Sequence, residues 1–248
     1  MPTTVTRLGH ATVLLDFDGV RVLTDPWFSE KPGYSPGEPR AIGSAADLPH
    51  LDGIVVSHGH YDHFDLAALA GYRDKTIPMV VKRGLGSRAS AAGWEQVVEV
   101  DPWESASIGP VRVTAAPARH LVPEVTFVLE GDGRTVFFGG DTMRIAELDE
   151  VGRRFPEIDL ALLPINGLTL RPLLNRQVVM DAAQAADLTA VLRPRLAVPI
   201  HYSFTAGPVR ERLLLRLDRR TAPYVDAVAD RAPGTAVHVL DPGAPLTV

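Results

Sequence analysis

Six residues do most to restrict the fold: His58-Gly59-His60-Tyr61-Asp62-His63 gathers three imidazoles and a carboxylate just past the apolar run Ile54-Val55-Val56. Protonated imidazoles this close repel one another, so the cluster burdens any fold that does not hold a cation there. In an extended segment alternate side chains share a side, which lets His58 and His60 reach one metal together. The helix expected from Asp65 and Leu66 to Ala70 then swings Asp62 and His63 towards a second, neighbouring point.

Two histidines leave a metal short of ligands, and the rest of the chain offers more at similar places. His120 follows the candidate strand Val111 to Ala115, Asp141 follows Thr135 to Phe138 through Gly139-Gly140, and His201 follows Leu196 to Ile200. Each stands just beyond the carboxyl end of a strand, where loops carry function and the sheet fixes their roots. With no cysteine in the chain, thiolate ligation and disulfides are excluded and the site is built from nitrogen and oxygen.

This ordered set resembles the metallo-β-lactamase superfamily, whose signature is H-x-H-x-D-H followed at long range by His, Asp and His. The resemblance implies an α/β fold, an αββα sandwich of two mixed sheets packed face to face with helices on the outer faces, spanning residues 1–248 as one domain. It places His58, His60 and His120 on one metal, Asp62, His63 and His201 on a second, and Asp141 between them. Two zinc ions are the expected cofactor, with manganese and iron open because imidazole and carboxylate do not choose alone. Leu8 to Leu15 and Val20 to Trp27 look like the opening of the branch that includes L-ascorbate-6-phosphate lactonase and N-acylphosphatidylethanolamine-hydrolysing phospholipase D.

Two adjacent dications lower the pKa of bound water from roughly 15.7 to about 7, making hydroxide available at neutral pH. The expected activity is therefore hydrolysis of an ester, lactone or phosphodiester bond in a small molecule. Asp62 is the expected catalytic group, binding metal and orienting the nucleophile or handling its proton. Asp25 is expected to steady a metal-binding histidine, and His10 either faces substrate or fills a polar niche. Tyr61, Trp27, Asn166, Tyr202 and Phe204 adjoin the site loops and are read as pocket or packing residues. Arg171 and Arg176 are read as an anion clamp or as solvated surface arginines, and His50 and His238 as structural.

A formal net charge of −5 argues against a general affinity for nucleic-acid backbones. Without a basic and apolar leader or a run long enough to span a bilayer, the expectation is a cytoplasmic protein with no stable membrane insertion. Oligomeric state is not legible. Three alternatives stay open. A di-iron redox protein on this scaffold is disfavoured by His60 standing where that pattern carries Glu. A nuclease of the superfamily needs a further gripping domain. A non-catalytic metal-binding scaffold does not need every ligand position filled.

Along the chain, Val5 to Leu15 and Val20 to Leu23 read as paired strands. The Pro- and Gly-rich stretch Ser29 to Pro49 reads as a long loop, either a rim or lid or a plain excursion. Helices are expected over Arg88 to Gly93, Met143 to Phe155, Val178 to Leu192 and Val209 to Leu217, and a last strand over Thr235 to Leu240.

Overall fold

The computed structural model describes residues 2–248. The first half runs β1 (Thr4–Gly9), β2 (Thr12–Phe17), β3 (Val20–Thr24), β4 (Gly53–Val56), α1 (Leu66–Leu69), β5 (Pro78–Lys82), α2 (Gly86–Ala91) and β6 (Gln96–Val100). It continues as β7 (Ser105–Ile108), β8 (Val111–Pro117), β9 (Val125–Gly131), β10 (Arg134–Phe138), α3 (Asp149–Arg154) and β11 (Leu160–Pro164). Then come β12 (Thr169–Leu170), β13 (Arg176–Gln177), α4 (Ala182–Leu192), β14 (Leu196–Ile200), α5 (Pro208–Leu213), β15 (Leu215–Arg216), α6 (Ala222–Arg231), β16 (Ala236–Val237) and β17 (Pro245–Thr247).

Two seven-stranded sheets result, in the orders β17-β1-β2-β3-β4-β5-β6 and β16-β14-β11-β10-β9-β8-β7; β12, β13 and β15 form a small third sheet. Both large sheets show the same succession of pairings. In the first, β17 through β3 pair antiparallel and β3 through β6 parallel. In the second, β7 through β10 pair antiparallel and β10, β11, β14 and β16 parallel. No repeat in residue identity announces this repeated plan.

Strand periodicity explains the layering, because successive side chains point to opposite faces. Val55 of β4 joins the core shared by the two sheets, together with Val136 and Phe138 of β10 and Leu160 and Leu162 of β11. Their neighbours Ile54 and Val56 face outward against Phe64, Leu69 and Trp94. Phe137, Ala161 and Leu163 face outward on the other side, against Leu188 and Leu192 of α4 and Tyr224 and Val228 of α6. Strands buried on both faces read as unbroken apolar runs, as parallel central strands do. The architecture is the αββα sandwich expected above.

Several boundaries differ from expectation. Val5 to Leu15 is two strands, since Gly9 (φ 144°) and His10 (φ 55°) turn the chain between β1 and β2. The first residues of the expected Met143 to Phe155 helix are irregular, with helix only from Ala146, and α4 starts at Ala182, where Asp181 and Gln184 form a capping box. The expected helix over Val209 to Leu217 stops at Leu213, and β15 follows it. The expected last strand shrinks to Ala236–Val237, leaving His238 outside it, while β17 closes the first sheet. Ser29 to Pro49 is irregular apart from isolated β-bridges joining Lys31 to Tyr34 and Ser35 to Thr205 and one short turn of 3-10 helix at Ala45–Asp47. Among the described residues no helix is long and apolar enough to cross a membrane.

Candidate metal centre

The ligand-bearing residues all follow strand ends on one edge of the sandwich. From the first sheet come His10 in the β1–β2 turn, Asp25 directly after β3, and His58 to His63 after β4; from the second come His120 after β8, Asp141 after β10 and His201 directly after β14. His10, Asp25 and His201 have φ of 55°, 34° and 54°. Non-glycine residues held there cost about 1–3 kcal/mol each and persist where the surroundings over-determine them.

The side chains divide into two neighbouring sets. In one, His58 Nε2 lies 3.0 Å from His60 Nδ1, and His120 Nε2 lies 3.1 Å from the same atom. Asp141 Oδ2 faces this trio, 3.9 Å from His58 Nε2 and 3.7 Å from His120 Nε2. In the other, Asp141 Oδ1 lies 3.3 Å from His63 Nε2 and 3.0 Å from His201 Nε2, and Asp62 Oδ2 stands 3.7 and 3.9 Å from those two nitrogens. His10 Nε2 adds a fifth group, 3.1 Å from Asp62 Oδ2. Ligand atoms spaced like this match a tetrahedral cation with bonds of about 2.0–2.2 Å, whose ligands stand roughly 3.3 Å apart.

Partners behind the rings set which nitrogen faces the centre. His63 Nδ1 meets Asp25 Oδ2 at 2.7 Å, and His58 Nδ1 meets Ser57 Oγ at 2.9 Å, whose hydroxyl in turn donates to Asp25 Oδ2 at 2.6 Å. His120 Nδ1 meets the Val178 carbonyl at 2.8 Å. These acceptors call for hydrogen on Nδ1, so the three Nε2 atoms present lone pairs inward. His58 Nε2 and His120 Nε2 both crowd His60 Nδ1, which has at most one hydrogen to give, so at least one lone pair there is left for a cation. Of the nine buried side-chain atoms without a hydrogen-bond partner among the described residues, His10 Nδ1, His63 Nε2, Glu124 Oε2, Asp141 Oδ1 and His201 Nε2 all belong to this place. The donor set therefore fits two divalent cations.

For His58 and His60 the charge state agrees. Burial, then the neighbouring imidazoles, lower His10 and His58 to about 3 and His60 to about 4, so these rings are neutral at physiological pH. Burial would raise Asp62 and Asp141, but the surrounding histidines outweigh it and keep both well below the usual carboxylate range. Burial alone would lower His63 and His201, and Asp141 reverses it for both. Permanent negative charge thus sits between the two sets.

Glu124 was not anticipated. Its Oε1 accepts the Asp141 backbone N–H at 2.7 Å and lies 3.3 Å from His58 Nδ1, and burial raises its carboxyl to about 8. Gly140 (φ +54°) leaves it room, since a Cβ there would fall 2.6 Å from Glu124 Oε1. Nothing in the sequence around Glu124 signals this role, whereas Ser57 at least adjoins the motif. Tyr34, from the Pro- and Gly-rich loop, was also missed; its hydroxyl donates to Asp62 Oδ2 at 2.8 Å.

A cavity of about 600 Å³ opens over the centre, reaching His60, Asp62, His120, Asp141 and His201. Tyr61 lines it. The other residues read as pocket candidates pack behind it: Trp27 under His10 and Phe204 under His201 as ring neighbours at 4.8 and 5.6 Å, Asn166 with its amide 3.1 Å from His201 Nδ1, and Tyr202 beneath Arg7. Arg171 and Arg176 are exposed and do not line the cavity; Arg171 spends its Nε on the Leu215 carbonyl. The arginine that lines it is Arg210. His50 is exposed and His238 half-buried, both away from the centre.

The sequence profile of the β-lactamase superfamily domain matches residues 20–202. An uncharacterised protein of Mycobacterium tuberculosis is 34% identical over 183 residues, 65% of this chain and 48% of that protein, so the chain spans about half the length of that relative. A UPF0173 metal-dependent hydrolase of Rubrobacter xylanophilus is 31% identical over 215 residues, 81% of each chain. Among solved structures, the metallo hydrolase Igni18 of Ignicoccus hospitalis superposes with TM-score 0.76 at 22% identity, covering 100% of this chain and 99% of that one. The diiron β-hydroxylase CmlA of Streptomyces venezuelae does so with TM-score 0.79 at 20% identity, covering 100% of this chain and 54% of that one.

Proposed function

The chain belongs to the β-lactamase superfamily, and from that premise we propose that it is a metal-dependent hydrolase acting on an ester, lactone or phosphodiester bond of a small molecule through a dinuclear centre. The observation that carries this reading is Asp141, whose two carboxylate oxygens face two separate ligand sets. On this reading His58, His60 and His120 would hold one ion, Asp62, His63 and His201 the other, and Asp141 would contribute to both. Two such ions supply Lewis-acid polarisation of an acyl or phosphoryl oxygen and lower the pKa of water from roughly 15.7 to about 7.

The chain's own groups do the rest. Asp62 stays ionised and offers an acceptor to a proton of the attacking water, while Tyr34 and His10 fix the rotation of its carboxylate. Asp25 holds His63 directly and His58 through Ser57, so neither ring can turn its inward nitrogen away. Trp27 and Phe204 close the floor against water from below. The relatives' description as metal-dependent hydrolases favours this reading over the redox chemistry of the diiron structural neighbour, with which only the fold is shared.

The test is elemental analysis of protein loaded with zinc, manganese or iron, followed by turnover assays on matched lactones, carboxylic esters and phosphodiesters. Two ions per chain and hydrolysis of one class are expected, with Asp62→Ala abolishing turnover while folding is retained. Fewer than one ion per chain after loading, or full activity in Asp62→Ala at normal metal content, overturns it.

A further inference from the structure

Resting on the hydrolase reading, we propose that the substrate carries a fixed anionic group, a carboxylate or a phosphate, away from the scissile bond, and that Lys31 and Arg210 grip it at the cavity rim. Both residues line the cavity above the centre, Lys31 from the Pro- and Gly-rich loop and Arg210 from α5. They approach from elements far apart in sequence, and the fold brings them to one rim.

Among the described residues neither cation is neutralised. Lys31 Nζ rests 3.6 Å over the Tyr61 ring, and Arg210 Nη1 reaches only the Gly33 carbonyl at 3.5 Å. Among the described residues no carboxylate lies within ion-pair distance of either, because the acids beside them are engaged elsewhere. Glu30 pairs with Arg40, and Glu211 binds Arg219, Thr205 and the Ala206 N–H. Ordinary surface cations are solvated and mobile. Lys31 instead stands against an aromatic face, and Tyr61 is anchored through its hydroxyl to Ser29 Oγ at 2.5 Å.

The charge pattern of the cavity is split accordingly. Its floor holds Asp62 and Asp141 among the histidines, whereas its rim holds Lys31 and Arg210 beside the apolar Pro32 and Leu168. On a chain whose formal net charge is −5, an unpaired basic rim over the reacting centre selects one sign of ligand. Arg210 offers a planar fork suited to two oxygens and Lys31 a compact charge, which is the pairing that meets a carboxylate or a phosphate. The apolar Pro32, Leu121 and Leu168 of the same lining suit a short carbon chain linking that group to the bond that breaks.

Calorimetric titration of zinc-loaded wild type and K31M/R210M with glutarate, phenyl phosphate and neutral glutaramide tests this. Because both proteins carry the same ions, checked by metal analysis, the difference isolates the rim. The double variant should bind the anions at least about ten-fold more weakly, each single variant accounting for part, with glutaramide unchanged. In kinetics, KM for mono-(p-nitrophenyl) glutarate should rise by a similar factor with kcat within about two-fold, while p-nitrophenyl butyrate is unaffected. A larger loss for phenyl phosphate than for glutarate assigns the rim to phosphate, and the reverse to carboxylate. Equal anion affinity in variant and wild type overturns the proposal. Anion binding lost in the variant together with no ester, lactone or phosphodiester turnover in wild type leaves the anion site standing and overturns the hydrolase reading.

Discussion

The phenolic hydroxyl of Tyr34 donates a 2.8 Å hydrogen bond to Asp62 Oδ2, the oxygen that His10 Nε2 also approaches. A loop with almost no regular structure is thereby tied to the metal-binding motif. Burial, then the Asp62 charge, push the phenol above its ordinary range, so it remains a donor at any assay pH. Tyr34→Phe should lower kcat by roughly 10- to 100-fold, as loss of a group that orients a ligand does. Metal analysis should show unchanged stoichiometry, and an unchanged kcat would remove Tyr34 from the machinery.

Asp25 accepts from His63 Nδ1, from the Ser57 backbone N–H at 2.7 Å and from the Ser57 hydroxyl. Asp25→Asn keeps the shape but removes the charge and can turn an N–H₂ towards His63. Metal affinity, measured by chelator competition, should fall about 10- to 100-fold. Ser57→Ala, which breaks only the His58 branch, should cost less.

Arg7 is buried, with Nη2 donating to Glu38 Oε2 at 2.9 Å and to the Leu240 carbonyl at 2.8 Å. Burial would raise the Glu38 carboxyl, but hydrogen bonds and charge from Arg7, with help from Ser203 and the His10 N–H, hold it below its ordinary value. A depressed folded-state pKa contributes stability that is complete above the unfolded value of about 4.3 and fades as pH falls through the folded one. Glu38→Gln should therefore cost roughly 2 kcal/mol at pH 7. Urea titrations should show the gap from wild type narrowing as pH falls below about 4.

Gly37 (φ +71°) passes so close to Ser203 that a Cβ would fall 1.8 Å from the Ser203 carbonyl oxygen, whereas Gly19 (φ +93°) has open space around it. Both alanine variants carry backbone strain of about 1–2 kcal/mol; only Gly37→Ala adds a clash with backbone. Its melting temperature should drop by several times the Gly19→Ala change, and because Gly37 lies between Tyr34 and Glu38, kcat should fall as well. Equal melting temperatures would refute the contact.

The sandwich and its ligand edge were legible because strands buried on both faces leave unbroken apolar runs, and because His58 to His63, His120, Asp141 and His201 each follow such a run. The same logic hid what supports them. Glu124 and Tyr34 lie in segments without periodicity, and only tertiary placement brings them to Asp141 and Asp62. The short helices and two-residue strands between Thr169 and Val237 escaped for another reason. Segments such as Leu213 to Leu217 carry mixed apolar and charged residues that suit a helix turn or an edge strand equally, and their neighbours decide. Arg210 shows the same limit, since nothing local separates it from Arg171 or Arg176.

Both ligand sets draw on both sheets: His58 and His60 meet His120 and Asp141, while Asp62 and His63 meet His201. Neither half of the sandwich owns a finished ligand set. A cut between β6 and β7 should therefore leave His58 to His63 on one fragment and His120, Asp141 and His201 on the other, each inert alone; turnover regained on mixing would report their reassembly, with β17 of the second fragment closing the first sheet.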